Sequence, residues 1–146
     1  MRLVLQRVTS ASVSVDGEVI ASVGRGIVLL AGFGRDDEVG DPARMAEKLV
    51  HLRIFPDATG KLQHSLVDIG GAILAVPQFT LYARLDRGRR PDFTGAMGPD
   101  EAARRFDALI EVLRRCPGVI VQTGRFGADM AVSLVNDGPF TLALGW

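Results

Sequence analysis

Two stretches of helical periodicity, each opened by a proline and set between short runs rich in β-branched residues, constrain the fold of this chain most. Asp41 stands where an N-cap belongs, and Pro42 where a first helical turn needs no N–H. Ala43, Ala46, Leu49 and Val50 then recur at helical spacing and predict a helix to about His51 or Arg53. Pro99-Asp100-Glu101 opens a second helix, with Ala102, Phe106, Leu109, Ile110 and Leu113 on one face and Pro117-Gly118 as its stop. Around these, the stretch from Arg2 to Val15 reads as extended, and Asp16-Gly17 as a two-residue hairpin turn whose central positions need positive φ. Glu18 to Val23 is the return strand, and Ile27 to Phe33 is an apolar run of buried-strand length. Pro56 to Gly60 is a turn, and Ala72 to Leu81 predicts the next strand. Val119 to Thr123, Met130 to Asn136 and Phe140 to Leu144 close the chain, the last two joined by Asp137-Gly138-Pro139. Strands, helix, strands, helix, strands is an α+β order with mainly antiparallel pairing. No repeat or linker interrupts it, so residues 1–146 are expected to form a single domain.

Composition narrows the function classes. At 146 residues and 47% hydrophobic content the chain can bury a core without staples, and the composition argues against intrinsic disorder. No apolar run reaches the roughly 18 residues of a membrane span, and Arg7 interrupts the N-terminal run before a signal-peptide core forms. A single cysteine, Cys116, suits a reducing cytosol, and cytoplasmic residence is expected. Cys116 has no evident pairing with His51 or His64 and reads as structural. Two histidines do not make a zinc site, and neither a metal nor an organic cofactor is implied. Zero net charge argues against non-specific coating of nucleic acid. Even so, 15 of the 17 basic residues are Arg, and Arg84, Arg87, Arg89 and Arg90 cluster in the long stretch from Tyr82 to Gly98. A planar donor fork suits phosphate, and a loop of that length in a compact domain is usually functional or disordered.

HExxH, CxxC pairs, a Walker loop and the GxSxG elbow are all missing. What remains is the placement of small polar groups. On a strand, Gln78 and Thr80 leave by one face and Phe79 by the other. By spacing alone they mark either a solvent-facing edge or a site. Asn136-Asp137-Gly138-Pro139 reads as a hairpin turn, or as a rigid main-chain gauge for a ligand's α-carbon, with a Gly-Pro bond that adopts cis at small cost. Gly124 to Met130 reads as a tight turn with Phe126 and Met130 in the core, or as a flat floor on which a base stacks.

Taken in order, these segments resemble the bacterial and eukaryotic D-aminoacyl-tRNA deacylase family. The resemblance runs through Leu5-Gln6-Arg7-Val8, Ala11-Ser12-Val13, Arg53-Ile54-Phe55 and Gln78-Phe79-Thr80-Leu81. It continues through Gly88-Arg89-Arg90-Pro91, Thr123-Gly124-Arg125-Phe126, Ala128-Asp129-Met130 and the run from Val132 to Pro139. Each is weak alone; the ordered set is specific and covers nearly the whole chain.

The resemblance implies a barrel-like core of mainly antiparallel sheets with two principal helices, in a homodimer. It implies hydrolysis of the ester joining a D-amino acid, or glycine mischarged on the alanine tRNA, to the 3′ acceptor end of tRNA. The catalytic segment would be Gln78, Phe79 and Thr80. The substrate would be held by Phe126, Gly127 and Met130 and screened by Gly138 and Pro139 of the partner subunit, which Arg7 braces. Arg89 and Arg90 would meet the tRNA. Such a filter is built of rigid main chain, and a clash rejects more strongly than an added contact attracts.

The usual family pattern has Ser where this chain has Pro77, which removes a hydroxyl and an N–H and leaves the strictness of the chirality filter open. Two mechanisms fit an activated ester. In one, backbone N–H groups around Phe79 and Thr80 hold the oxyanion while the terminal ribose 2′-OH assists. In the other, Thr80 is the nucleophile, which requires a base beside it. A non-catalytic tRNA-end binder and a small-molecule D-amino acid hydrolase are the rival classes.

Overall fold

The computed structural model describes residues 1–38, 40–86 and 88–145; Val39, Arg87 and Trp146 lie outside the described residues. The N-terminal half follows the sequence pattern closely. β1 (Arg2–Val15) turns at Asp16 (φ +53°) and Gly17 (φ +83°) into β2 (Glu18–Val23), and β3 (Gly26–Gly32) follows after a break. β8 takes one edge of β1 along nearly its whole length, so β2 and β3 share the other, pairing with its C-terminal and N-terminal parts respectively.

α1 (Pro42–Val50) starts as predicted, with Asp41 Oδ1 accepting from the N–H groups of Ala43 and Arg44 at 2.9 and 3.3 Å. Its buried face is Met45, Ala46, Leu49 and Val50; Ala43 points outward. β4 (Phe55–Pro56) and β5 (Leu62–His64) form a short hairpin around the turn at Pro56 to Gly60. β6 (Ala72–Pro77), a 3-10 turn over Phe79–Tyr82, α2 (Pro99–Arg114) and β7 (Ile120–Thr123) follow. All five apolar residues predicted on α2 are buried. Each such side chain contributes roughly 1–3 kcal/mol of transfer free energy.

One expectation is met in part and another needs correcting. Antiparallel pairing dominates, joining β1 to β2, β3 and β8 and β4 to β5, but the sheet is mixed: β3 pairs with β6, and β6 with β7, in parallel. Parallel neighbours need a crossover, and both crossovers carry a helix, α1 between β3 and β6 and α2 between β6 and β7. The second concerns the C-terminus. Met130 to Asn136 and Phe140 to Leu144 are not two strands of a hairpin but one strand, β8 (Ala131–Gly145), antiparallel to β1 from Arg2↔Gly145 to Ser14↔Ala131. Between Gln6↔Thr141 and Val8↔Asn136, β8 advances five residues against two on β1. Residues around Asp137-Gly138-Pro139 are therefore extruded as a bulge, and β1, pairing on both sides of it, keeps the strand from reversing.

The sheet curls into a barrel-like layer with apolar residues on both faces. Leu3, Leu5, Leu29 and Ile73 pack under the two helices, whereas Val8, Val13, Val28 and Leu74 form a second cluster on the other face. β8 differs from β1. None of its described residues is fully buried, Val135 is 57% exposed, and no strand among the described residues pairs with its outer edge. Among those residues, no helix is long and apolar enough to cross a membrane.

Candidate active site

The site begins where β6 ends. Its ladder with β3 runs to Ala31↔Pro77, and Gln78 N–H still donates to the Ala31 carbonyl at 2.7 Å. The strand expected to reach Leu81 stops here. Pro77 has no N–H to offer a neighbour, and β7 has already left β6 at Ala75↔Thr123. With no ladder to hold it extended, the chain winds on itself, Leu81 N–H reaching the Gln78 carbonyl at 3.3 Å and Ala83 N–H the Thr80 carbonyl at 3.0 Å. Gln78 and Thr80 thus do not share a strand face. The turn joins them instead, the Gln78 Nε2 amide donating to Thr80 Oγ1. Phe79 is 56% exposed, and its ring meets Phe93 edge-on at 5.1 Å. The opening N–H groups of a helical turn have no intrahelical acceptor, and no main-chain acceptor pairs with those of Phe79 and Thr80 among the described residues.

Beside this turn lies a cavity of about 590 Å³, walled by Gln78, Phe79, Phe93, Met97, Phe126 and Met130. The loop carrying the last two is tied to the sheet by Gly124 N–H, which donates to the Ala75 carbonyl at 2.9 Å. Phe126 packs toward the core, 6.4 Å from the Phe106 ring, and also faces the cavity, as does Gly127. Packing against the core thus leaves the ring on the cavity wall. An apolar, aromatic-lined hollow with a few polar groups at one wall has the make-up of a site for a flat ligand.

Arg7 is 6% exposed, unusual for a guanidinium without dense pairing. Its Nη1 donates to the Ile54 carbonyl at 2.5 Å, and its carbon Cζ lies 5.1 Å from the centre of the Phe140 ring. Its Nε sits 3.0 Å from Asp137 Oδ2 but off the N–H axis, so the contact is an ion pair rather than a hydrogen bond. Asn136 closes the bulge, Oδ1 accepting from Phe140 N–H and Nδ2 donating to Thr141 Oγ1, both at 3.2 Å. The Gly138-Pro139 peptide is cis. Gly138 and Pro139 are exposed and do not line this chain's own cavity, so the chain alone does not bring the two halves of the expected pocket together.

Arg89 and Arg90 are exposed and stand outside the cavity wall; Arg87 lies outside the described residues. The stretch carrying them is closed at its base by main-chain hydrogen bonds between Arg84 and Asp92 at 2.8 and 2.9 Å. Phe93 follows at once, which sets the basic segment at the cavity rim. Sequence reasoning missed Phe93 and Met97 because that stretch shows no periodicity; the one signal was an aromatic set among Arg and Gly. Cys116 donates to the Val112 carbonyl at 3.5 Å, and burial, helped by the charge of Glu47, pushes its thiol up. A thiol kept protonated is a poor nucleophile. His51 sits at the end of α1, against the Glu47 carbonyl. Among the described residues, no three His, Cys, Asp or Glu side chains converge as a metal site would need.

The family profile described as D-Tyr-tRNA(Tyr) deacylase matches residues 4–145, which takes in every element of the site. The chain belongs to that deacylase family. It is 53% identical over 144 residues to the D-aminoacyl-tRNA deacylase of Chlorobaculum tepidum, covering 99% of this chain and 96% of that protein. It is 51% identical over 142 residues to the D-aminoacyl-tRNA deacylase of Geobacillus sp. (strain WCH70), covering 97% and 93%. Among solved structures it superposes on a c-Myc DNA unwinding element binding protein with a TM-score of 0.90, at 40% identity over 100% and 99% of the two chains. A probable eukaryotic D-amino acid tRNA deacylase, 22% identical with a TM-score of 0.83, shares the fold. As a deacylase-family member the chain is an ester hydrolase.

Proposed function

We propose that this protein hydrolyses the ester between a D-amino acid, or glycine, and the 3′ adenosine of tRNA. The observation that carries the reading is the cavity in which Gln78 and Phe79 meet Phe126 and Met130. The adenine stacks against Phe126, with Gly127 and Met130 beside it; such stacking is worth roughly 1–3 kcal/mol per base. The ester carbonyl lies over the turn, where the N–H groups of Phe79 and Thr80 receive the developing oxyanion. The terminal ribose 2′-OH assists the attack, and Gln78 orients the Thr80 hydroxyl. Arg89 and Arg90 at the rim take phosphates of the acceptor end.

Chirality is read by main chain. The protein acts as a homodimer, and Gly138 and Pro139 of one subunit enter the cavity of the other. Three features support this reading: both residues are exposed on a bulge that their own cavity does not use, Arg7 holds that bulge from beneath, and among the described residues no strand pairs with the outer edge of β8, where a second copy would meet it. A carbonyl with no side chain in front of it crowds the substituent of an L-residue but leaves room for a D-residue or glycine.

The test is hydrolysis of matched D- and L-aminoacyl-tRNA together with the sedimentation mass of the protein. A dimer that clears the D-ester, and glycyl-tRNA, far faster than the L-ester is expected. Comparable D and L rates would refute the filter. Binding of tRNA without cleavage would make the chain a binding module, and cleavage of simple esters that ignores the Arg pair a small-molecule hydrolase.

A further inference from the structure

The deacylation reading uses Gln78, Phe79 and Thr80 but leaves unexplained what holds so short a turn in place. The answer lies outside the cavity, at the loop after β3. Asp37 Oδ2 accepts from the Tyr82 hydroxyl at 2.5 Å and from Gly34 N–H at 2.5 Å, and lies 2.8 Å from the Met1 amine. Arg2 stacks over the Tyr82 ring with its Cζ 4.5 Å from the centroid, and donates from Nη1 to the Leu81 carbonyl at 2.8 Å. The last two residues of the turn are therefore gripped from two sides. Gly34 makes the grip possible: a Cβ there would collide with Cε1 of the Tyr82 ring.

We propose that Asp37 and Tyr82 are positioning residues of the deacylation site, fixing the C-terminal end of the 78–82 turn so that its N–H groups stay aimed at the ester. This inference rests on the deacylase reading above. Within the turn, a single stretch of short-range main-chain hydrogen bonds, among them Leu81 N–H to the Gln78 carbonyl and Ala83 N–H to the Thr80 carbonyl, opposes unwinding. Without an anchor it would sample other geometries, and misplacement by about 1 Å costs catalysis on the order of 100-fold. The pair is built for permanence. Burial raises the Asp37 carboxyl, but the Met1 amine, the Tyr82 hydroxyl and Gly34 N–H more than offset it and hold the group ionised. Neither residue reaches the cavity, so neither is expected to touch substrate.

The experiment compares Tyr82→Phe, which keeps the ring against Gly34 and Arg2, with Asp37→Asn, which keeps the shape and one acceptor. Single-turnover and steady-state deacylation of a D-aminoacyl-tRNA are expected to show kcat lowered about 10- to 100-fold with KM within about twofold. Hydrogen–deuterium exchange of the segment 78–83 is expected to accelerate in the folded variants, and the double variant to be no slower in kcat than the worse single one. A kcat within about twofold of wild type in both variants, or a loss carried by KM, overturns the proposal. If Tyr82→Phe does not fold, Asp37→Asn decides by the same readouts. A wild-type protein that leaves D-aminoacyl-tRNA intact sinks the deacylase reading instead, and the exchange of 78–83 still judges the clamp.

Discussion

Arg7 Nε and Asp137 Oδ2 lie 3.0 Å apart, which ties the second quarter of β1 to the bulge of β8. The same guanidinium donates to the Ile54 carbonyl at 2.5 Å, so one buried cation joins a strand, a bulge and the entrance to β4. The Asp137 side chain is a third exposed, and solvent screens its share. The buried hydrogen bond to Ile54 and the packing against Phe140 therefore account for most of what Arg7 contributes.

Arg7→Ala should cost about 2–4 kcal/mol of stability, since it strands a buried carbonyl and opens a void beneath the bulge. Arg7→Lys should cost less, because a point charge keeps part of the pairing but cannot span both partners. Urea midpoints of the two variants check this; a loss under about 1 kcal/mol for Arg7→Ala would mean the bulge stands without its brace.

Thr80→Ala should retain activity within about tenfold of wild type. The Thr80 hydroxyl accepts from the Gln78 amide, a group that cannot take its proton and so cannot serve as the base a nucleophile requires. Removing one hydroxyl leaves the N–H groups of the turn in place. Complete loss of deacylation in a folded protein would shift the chemistry onto the side chain.

How much of this was legible in the sequence depends on which force set each element. Helices were readable because local signals agreed: Asp41 and Pro42 at one start, Pro99 at the other, with α2's apolar face matching residue for residue. Ala43 failed as a core position since Met45 covers the sheet side of α1 instead. The strand reading of Gln78 and Thr80 failed because alternation says nothing of where a neighbour's ladder ends, and β7 leaves β6 at Ala75. Likewise Asp137-Gly138-Pro139 carries turn chemistry, yet β1 pairs on both sides of it, and only tertiary pairing turns an expected hairpin into a bulge. Parallel pairing of β3, β6 and β7 was hidden for the same reason. Asp37 and Tyr82 stand 45 residues apart, and no spacing rule joins them.

Stability should vary with pH through that pair on both limbs. Asp37 titrates below its ordinary value, so its contribution is present above the ordinary carboxylate range and is lost as pH falls through the lowered value. Tyr82 is raised, by burial first and by the Asp37 hydrogen bond and charge next, so its contribution holds below the ordinary phenol value and is lost as pH rises through the raised one. Asp37→Asn should therefore shallow the acid limb, below roughly pH 4, and Tyr82→Phe the alkaline limb, above roughly pH 10. Asp57, Asp68, Asp92 and Glu101 are also lowered, so the acid limb should soften rather than vanish. Denaturant midpoints across pH measure both slopes; unchanged slopes in both variants would contradict the assignment.

Arg89→Ala with Arg90→Ala should weaken the use of tRNA while leaving the fold intact, since both side chains are exposed. For every phosphate that goes unneutralised, the slope of log KM against log salt should fall by about 0.7–0.9. Cleavage of a short aminoacyl-adenosine mimic, which has no further phosphates, should be unchanged. Equal impairment on the mimic and on whole tRNA would place these arginines in the site itself.

Gly138→Ala is the sharpest probe of the bulge. Gly138 has φ +123°, a conformation that L side chains rarely adopt, and a Cβ there would lie 2.9 Å from Arg7 Nη2. The methyl group must therefore distort the bulge or push the guanidinium off Ile54 and Asp137. A stability loss of about 1–3 kcal/mol is expected from the backbone alone. If Gly138 and Pro139 are the filter, the same change should disturb the ratio of D- to L-ester cleavage more than it disturbs binding of tRNA. Pairing Gly138→Ala with Arg7→Lys separates the two effects: a shorter, more flexible cation can yield to the methyl group, so stability should partly recover. Discrimination should not recover, because the added methyl group still stands in front of the carbonyl. A Gly138→Ala protein with undiminished discrimination and an unmoved denaturation midpoint would remove the bulge from the mechanism.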